Sequence, residues 1–262
     1  MSAPTTPDPW SKLRALTPAR IAQGRAGVSM PTAPQLAFQL AHAQARDAVH
    51  MALDAQALRD ALTQPGRTVL LAHSASPDRA TYLQRPDLGR QLDAASCAAL
   101  AAGAPIGCEL ALVVADGLSA LAIARHAAPF IDVLCARLAS DGWGSPPVVI
   151  VQQGRVAIGD QIGSLLNARC VVVLIGERPG LSSPDSMGLY MTWNPGPALN
   201  DARRNCISNV RSEGLGYMEA AYKLHYLLDQ ARKRGLSGVA LKDETQAPMV
   251  AGSGPNFLLK QV

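Results

Sequence analysis

Four short stretches hold the side chains able to do chemistry. In Gly176-Glu177-Arg178-Pro179-Gly180 a carboxylate follows an apolar run and precedes a cation. Glu177 can accept hydrogen bonds from the amides or hydroxyls of a ligand, with Arg178 fixing the loop or reaching a partner chain. The bland alternative is a local Glu–Arg pair on a solvated loop, which contributes little. Asp116-Gly117-Leu118-Ser119 offers a phosphate or ribose contact at a helix N-terminus, or simply the cap of the following helix; composition favours the cap. Gln153-Gly154-Arg155-Val156 is a third polar turn containing glycine. Cys206 lies in Arg203-Arg204-Asn205-Cys206-Ile207-Ser208-Asn209, where cations would lower a thiol pKa. A nucleophilic thiol also needs a base, and nothing places the histidines at 42, 50, 73, 126 or 225 beside it. A packing or ligand-contacting cysteine is the expectation. Were it the nucleophile of a hydrolase, Cys206→Ala would abolish activity.

Several chemistries lack their signatures. No GxGxxG follows a strand, no GxxxxGK[ST] occurs, and the histidines show no HExxH spacing. No paired carboxylates suggest acid–base work. Five cysteines, an odd number without CxxC spacing, argue against both a disulfide framework and a zinc site. No metal ligands are therefore expected. The residues describe a ligand-binding α/β domain without visible catalytic machinery of its own, and a stand-alone nucleotide-binding or regulatory module is the alternative.

The elements that must position these stretches follow from apolar runs. Strands are expected at 110–115, 148–152 and 170–175, each apolar enough to be buried on both sheet faces. A helix at 158–167 makes a right-handed βαβ crossover between the last two. The three polar turns then share one edge, the carboxyl edge where open α/β sheets bind ligands. A long helix to about 139, a fourth strand at 189–192, and a final helix at 217–234 stopping at Gly235 complete this part. Ahead of it, Thr17-Pro18 signals a helix start, Thr32 caps a helix at 33–48 with Leu36, Leu40 and Ala43 on one face, and a helix at 55–63 leads to a short strand at 68–73. Arg85-Pro86-Asp87-Leu88-Gly89-Arg90 opens a helix to about 102. The expected class is α/β: a Rossmann-like, mostly parallel sheet flanked by helices, with a helical N-terminal arm or subdomain. The expected divisions are a flexible arm at 1–16, a mainly helical region at 17–105, the Rossmann-like domain at 106–242 and a tail at 243–262.

Lys and Arg exceed Asp and Glu by four, without long basic runs, which disfavours a dedicated nucleic-acid binder. Only five of the 24 basic residues are Lys, so arginine pairing at an interface or to a phosphate-bearing ligand fits, as does an arginine-preferring genome. Residues 1–9 carry no secretion signal and no apolar run reaches 18 residues, so a cytosolic chain without a membrane helix is expected.

The ordered segments Thr17-Pro18-Ala19-Arg20, Gly24-Arg25-Ala26-Gly27, Tyr82-Leu83-Gln84-Arg85-Pro86-Asp87-Leu88-Gly89-Arg90 and Asp116-Gly117-Leu118-Ser119 resemble the small (light) subunit of ethanolamine ammonia-lyase. The likeness continues through Gly154-Arg155-Val156, Asp160-Gln161-Ile162-Gly163, Gly176-Glu177-Arg178-Pro179-Gly180-Leu181 and Arg204-Asn205-Cys206-Ile207-Ser208-Asn209. The resemblance implies assembly with a large TIM-barrel subunit that holds the substrate. Together the two would bind adenosylcobalamin and convert ethanolamine to acetaldehyde and ammonia by radical chemistry. It also implies cobalamin contacts at Val156 (apolar or backbone), Glu177 (an acceptor for corrin amides) and Cys206 (a contact, not a nucleophile), and no catalytic residue on this chain. Enteric members have a longer amino-terminal extension, associated with packaging in a bacterial microcompartment; the stretch ahead of Thr17 is short by comparison. No Asp-x-His-x-x-Gly motif is present, so no histidine is expected to replace the lower base of the cobalamin.

Overall fold

A computed structural model describes residues 5–103, 107–197 and 199–245. Helices α1 (Thr32–His50) and α2 (Ala55–Leu62) precede strand β1 (Val69–His73). Then come α3 (Arg79–Gln84), α4 (Ala94–Gly103), β2 (Cys108–Ala115) and α5 (Ala120–Leu138). The chain continues through β3 (Val148–Gln152), α6 (Ile158–Leu165), β4 (Ala168–Gly176), β5 (Met187–Trp193), β6 (Arg204–Val210) and α7 (Tyr217–Arg234). The strands form one sheet in the order β1-β3-β2-β4-β5-β6.

The α/β class holds, but the sheet is mixed rather than mostly parallel throughout. Strands β1, β3, β2 and β4 run parallel, while β5 and β6 return antiparallel. The reason lies in the connections: β4 to β5 and β5 to β6 have no crossover helix, and a chain that turns straight back can only pair antiparallel. Strand β1, from ahead of residue 106, is an edge of this same sheet.

The parallel centre matches the continuous apolar runs. Residues Leu110 to Ala115, Val148 to Val151 and Cys170 to Ile175 are all buried. On one face Leu112, Val114, Val172 and Leu174 pack against Phe130 and Leu134 of α5 and Leu224 and Leu228 of α7. On the other, Val113, Val149, Val171 and Val173 pack against Ile158 and Ile162 of α6 and Leu100 of α4. Each such side chain, taken out of water, contributes about 1.5–3 kcal/mol before chain entropy is subtracted.

Local signals erred in three other places: Thr32 is the first residue of α1 rather than its cap, which is Pro31. Thr17 starts no helix; its Oγ1 accepts from the amide of Ala19 at 3.1 Å in a short turn, and the helical segment is instead a 3-10 stretch, Pro9–Leu16. The 85–90 motif forms only a 3-10 turn, Leu88–Arg90, and α4 begins afresh at Ala94, with Asp93 accepting from the amide of Ser96 at 2.6 Å. Strand β6 had no counterpart among the expected elements. Its polar residues, interrupted by buried Ile207 and Val210, reflect an edge strand with one open face. The expected tail at 243–262 lies mostly outside the described residues, as do residues 1–4 of the expected arm.

Candidate functional site

Because β3, β2 and β4 are parallel neighbours, their carboxyl ends do meet on one edge. The amide of Gly154 donates to Asp116 Oδ1 at 3.2 Å, and the amide of Leu118 donates to the carbonyl of Gly176 at 2.9 Å. The strand order reverses between β2 and β4, where a ligand crevice would be expected. Here it is closed. Gly117, at φ +57°, and Gly176 approach so tightly that a Cβ on Gly117 would lie 2.3 Å from the carbonyl oxygen of Gly176. Asp116 is buried and its carboxyl is pushed up by desolvation, against the amide bonds and Arg79. Ser119 caps α5 by accepting from the amide of Ala122 at 3.2 Å, and donates to the carbonyl of Pro184 at 2.8 Å. The Asp116–Ser119 turn is thus structural, as its composition suggested.

The open surface lies one step along the sheet. Side chains alternate between faces along a strand, so Gly188, Tyr190 and Thr192 of β5 lie beside Arg204, Cys206 and Ser208 of β6. Helix α6 covers β4 but leaves this part of the face exposed. A cavity of about 360 Å³ opens there, lined by Val156, Tyr190, Arg204 and Cys206, with Arg90 and Arg155 at its side. Val156 and Cys206, fifty residues apart, therefore meet.

Glu177 borders this cavity without lining it. Its carboxylate reaches across β5 to β6, where Oε1 accepts from Ser208 Oγ at 2.6 Å and Oε2 from the amide of Asn209 at 3.2 Å and from Ser186 Oγ. Gly188 makes the crossing possible: a Cβ there would stand 2.9 Å from Glu177 Oε1 and 3.1 Å from the ring of Tyr190. Arg178 is exposed and does not pair with Glu177. A carboxylate offers about four acceptor positions, and three are taken by the protein, so Glu177 keeps one for an external N–H or O–H donor.

Cys206 is exposed, yet its thiol is not activated. Desolvation pushes its pKa up, the hydrogen bond with Tyr190 lowers it, and the charge of Glu177 raises it again. The neighbouring Arg204 cannot act on the thiol as a free cation. Its guanidinium is buried and bound in a fork to Asp160 of α6, with Nη1–Oδ1 at 2.6 Å and Nη2–Oδ2 at 2.7 Å. Two further donors go to Asp201 at 3.2 Å and Thr192 at 3.2 Å. Tyr190 is likewise raised, chiefly by desolvation, so the pair stays neutral near pH 7.

The segment 82–90 supports this site from behind. Tyr82 is fully buried, stacked between the guanidinium groups of Arg79 at 4.7 Å and Arg155 at 4.1 Å, and its hydroxyl donates to the carbonyl of Gly154 at 3.1 Å. The amide of Arg155 donates to the carbonyl of Gly89 at 2.7 Å. These contacts hold the turn that presents Val156. Tyr190, the Arg204–Asp160 pair and the donors Ser186, Ser208 and Asn209 carried no individual role in the sequence. The two-residue spacing of Arg204, Cys206 and Ser208 was the available sign that they share a face. Among the described residues, no group of three His, Cys, Asp or Glu could hold a metal ion.

The model of the family "Ethanolamine ammonia-lyase light chain (EutC)" matches residues 7–242. The ethanolamine ammonia-lyase small subunit of Ralstonia nicotianae is 59% identical over 260 residues, covering 98% of this chain and 96% of its own length. That of Xanthomonas campestris pv. campestris is 57% identical over 272 residues, covering both chains fully. That of Pseudomonas aeruginosa is 59% identical over 258 residues, covering 96% of this chain and 94% of its own length. Identity of this degree over nearly the whole length leaves no part of the described fold outside the match, and the chain belongs to the ethanolamine ammonia-lyase light chain family.

Proposed function

We propose that this chain is the small subunit of an adenosylcobalamin-dependent ethanolamine ammonia-lyase, which converts ethanolamine to acetaldehyde and ammonia. A larger TIM-barrel subunit would hold the substrate, in a cytoplasmic hetero-oligomer. The observation that carries the reading, beside the family match, is that Val156 and Cys206 line one open cavity while Glu177, outside that lining, is bound to Ser208 and Asn209 of the strand that carries Cys206. The residues there suit a corrin. Its rim bears amide side chains, and Glu177 has an acceptor position to spare; Val156 offers apolar contact, and Cys206 a neutral thiol that would not compete as a ligand or nucleophile. A cavity of about 360 Å³ is too small to enclose a macrocycle, so this chain would cover one part of it and the partner the rest. Adenosylcobalamin supplies radical chemistry when bound, and the protein supplies orientation. We place the Rossmann-like cofactor domain at 106–242, with the mainly helical region 17–105 lending β1 to its sheet, and the arm 1–16 and the tail 243–262 at the two ends of the chain. The nucleotide-binding alternative loses its best site, because the Asp116–Ser119 turn is closed against β4.

The isolated chain should release no ammonia from ethanolamine, whereas the chain mixed with its larger subunit and adenosylcobalamin should. Turnover by the small chain alone would overturn the reading. Cys206→Ala should leave kcat intact at saturating cofactor, with at most weaker cofactor affinity; abolished turnover would restore a nucleophilic cysteine. Glu177→Gln presents an amide donor to a cradle of donors and removes the charge that accepts the ligand's N–H. One charged hydrogen bond is worth about 1.5–3 kcal/mol, so cobalamin affinity, read by absorbance titration of the complex, should fall about tenfold or more. An unchanged affinity removes Glu177 from the site.

A further inference from the structure

Helix α1 has nineteen residues, of which only Ala41 and Ala48 are buried. A helix of this length in a protein draws most of its stability from packing an apolar face, yet here that face is open: Leu36 is 58% and Leu40 59% exposed. Of the thirteen exposed large apolar residues among those described, nine fall between Trp10 and Met51. Exposed apolar surface gathered in this way marks an interaction site.

The charge of the segment bears on what covers it. Residues 10–51 hold Lys12, Arg14, Arg20, Arg25 and Arg46 against the single acid Asp47, an excess equal to that of the whole chain. Two copies facing each other here would bring like charges together, so self-association is opposed and an acidic, apolar surface is favoured. The segment is also tied to the candidate site. Arg20 Nη2 donates to the carbonyl of Leu181 at 3.1 Å, and Ser182 Oγ donates to the carbonyl of Pro18 at 3.4 Å, so it is anchored to the loop that follows Glu177. A partner seated on it therefore lies beside the half-built cofactor face.

We infer that residues 10–51 are the docking face for the larger lyase subunit, through an acidic and apolar surface on that subunit. This rests on the proposed function, and it assigns the contact to a surface that the cofactor residues do not include. Docking there positions the partner at the edge of the Glu177 loop, which completes the site from outside.

The test is a titration of the full chain against the larger subunit, followed by co-elution. Leu36→Glu/Leu40→Glu, at exposed positions, should leave the melting curve unchanged and weaken binding about tenfold or more. Added salt should weaken the wild-type complex. Val239→Glu, at a 77% exposed apolar position elsewhere, should bind as wild type. If the wild-type chain does not bind the larger subunit at all, the proposed function itself fails. If it binds and the double variant binds equally well, this inference alone is overturned. That second result, accompanied by loss of flotation with phosphatidylserine vesicles or loss of a wild-type homodimer, would assign the face to a membrane or to a second copy. Equal loss in Val239→Glu would also overturn it, because the effect would not belong to this face.

Discussion

Arg204→Leu is expected to lower the melting temperature by about 6–20 °C, among the largest effects of any single change in the chain. Arg204 and Asp160 are both buried, with side-chain exposures of 4% and 8%. Removing one partner leaves a carboxylate without its counter-charge in a dry place, at a cost of about 3–5 kcal/mol. At roughly 2–4 °C per kcal/mol for a chain of this size, that cost gives the stated fall. The change also acts on function. Asp160 belongs to the first turn of α6, just after Val156, and Arg204 stands two residues before Cys206 on an edge strand. The pair thus sets the distance between the two walls of the cavity, and cobalamin affinity should fall with stability. Removing both charges, as in Asp160→Leu/Arg204→Met, should recover much of the lost stability, because no charge is left buried alone. A double variant less stable than Arg204→Leu would mean that the pair contributes through shape or hydrogen bonding rather than charge balance.

Gly176→Ala should be at least as disruptive, for a steric reason. A Cβ at this position would stand 2.1 Å from the carbonyl oxygen of Ser119 and 2.6 Å from that of Asp116. Both obstacles are backbone atoms of the turn that caps α5, so neither can swing aside. Relief requires β2 and β4 to part, which breaks the 2.9 Å bond from Leu118 to Gly176 and shifts Glu177, the next residue. Overpacking of this kind costs on the order of 3 kcal/mol or more, read as a lower urea midpoint. Gly103→Ala is the control: nothing lies within 4 Å of its added carbon, at the end of α4, and the change should be neutral or stabilising by up to ~1 kcal/mol. If Gly176→Ala unfolded at the wild-type midpoint, the closed crevice between β2 and β4 would have to open readily, and a ligand site there would return to consideration.

What could be read in advance follows burial. Strands β2, β3 and β4 were legible because a strand covered on both faces must be apolar at every position. Helix α7 was legible from its periodicity and from Gly235, which takes the left-handed conformation at φ +67° that ends the helix. Strand β6 was not. Cys206 and Ser208 face an open surface and Arg204 is spent on a buried pair with Asp160, so its composition is that of a loop. Leu36 and Leu40 share one helix face, as their spacing indicates, and they are exposed; a sequence shows that a face is apolar without showing which chain covers it.

By itself the sequence determined the parallel apolar centre, the three polar turns on its carboxyl edge and, through many ordered segments, the family. Those are properties of neighbouring residues, and the spacing of apolar side chains suffices to express them. Only the tertiary structure decided that the crevice between β2 and β4 is shut, that Glu177 crosses Gly188 to reach β6, and that Cys206 keeps its proton beside an Arg204 already bound to Asp160. Each of those depends on atoms brought within about 3 Å by residues far apart along the chain. Strand register and close backbone approach set such distances, and neither is written in any local stretch.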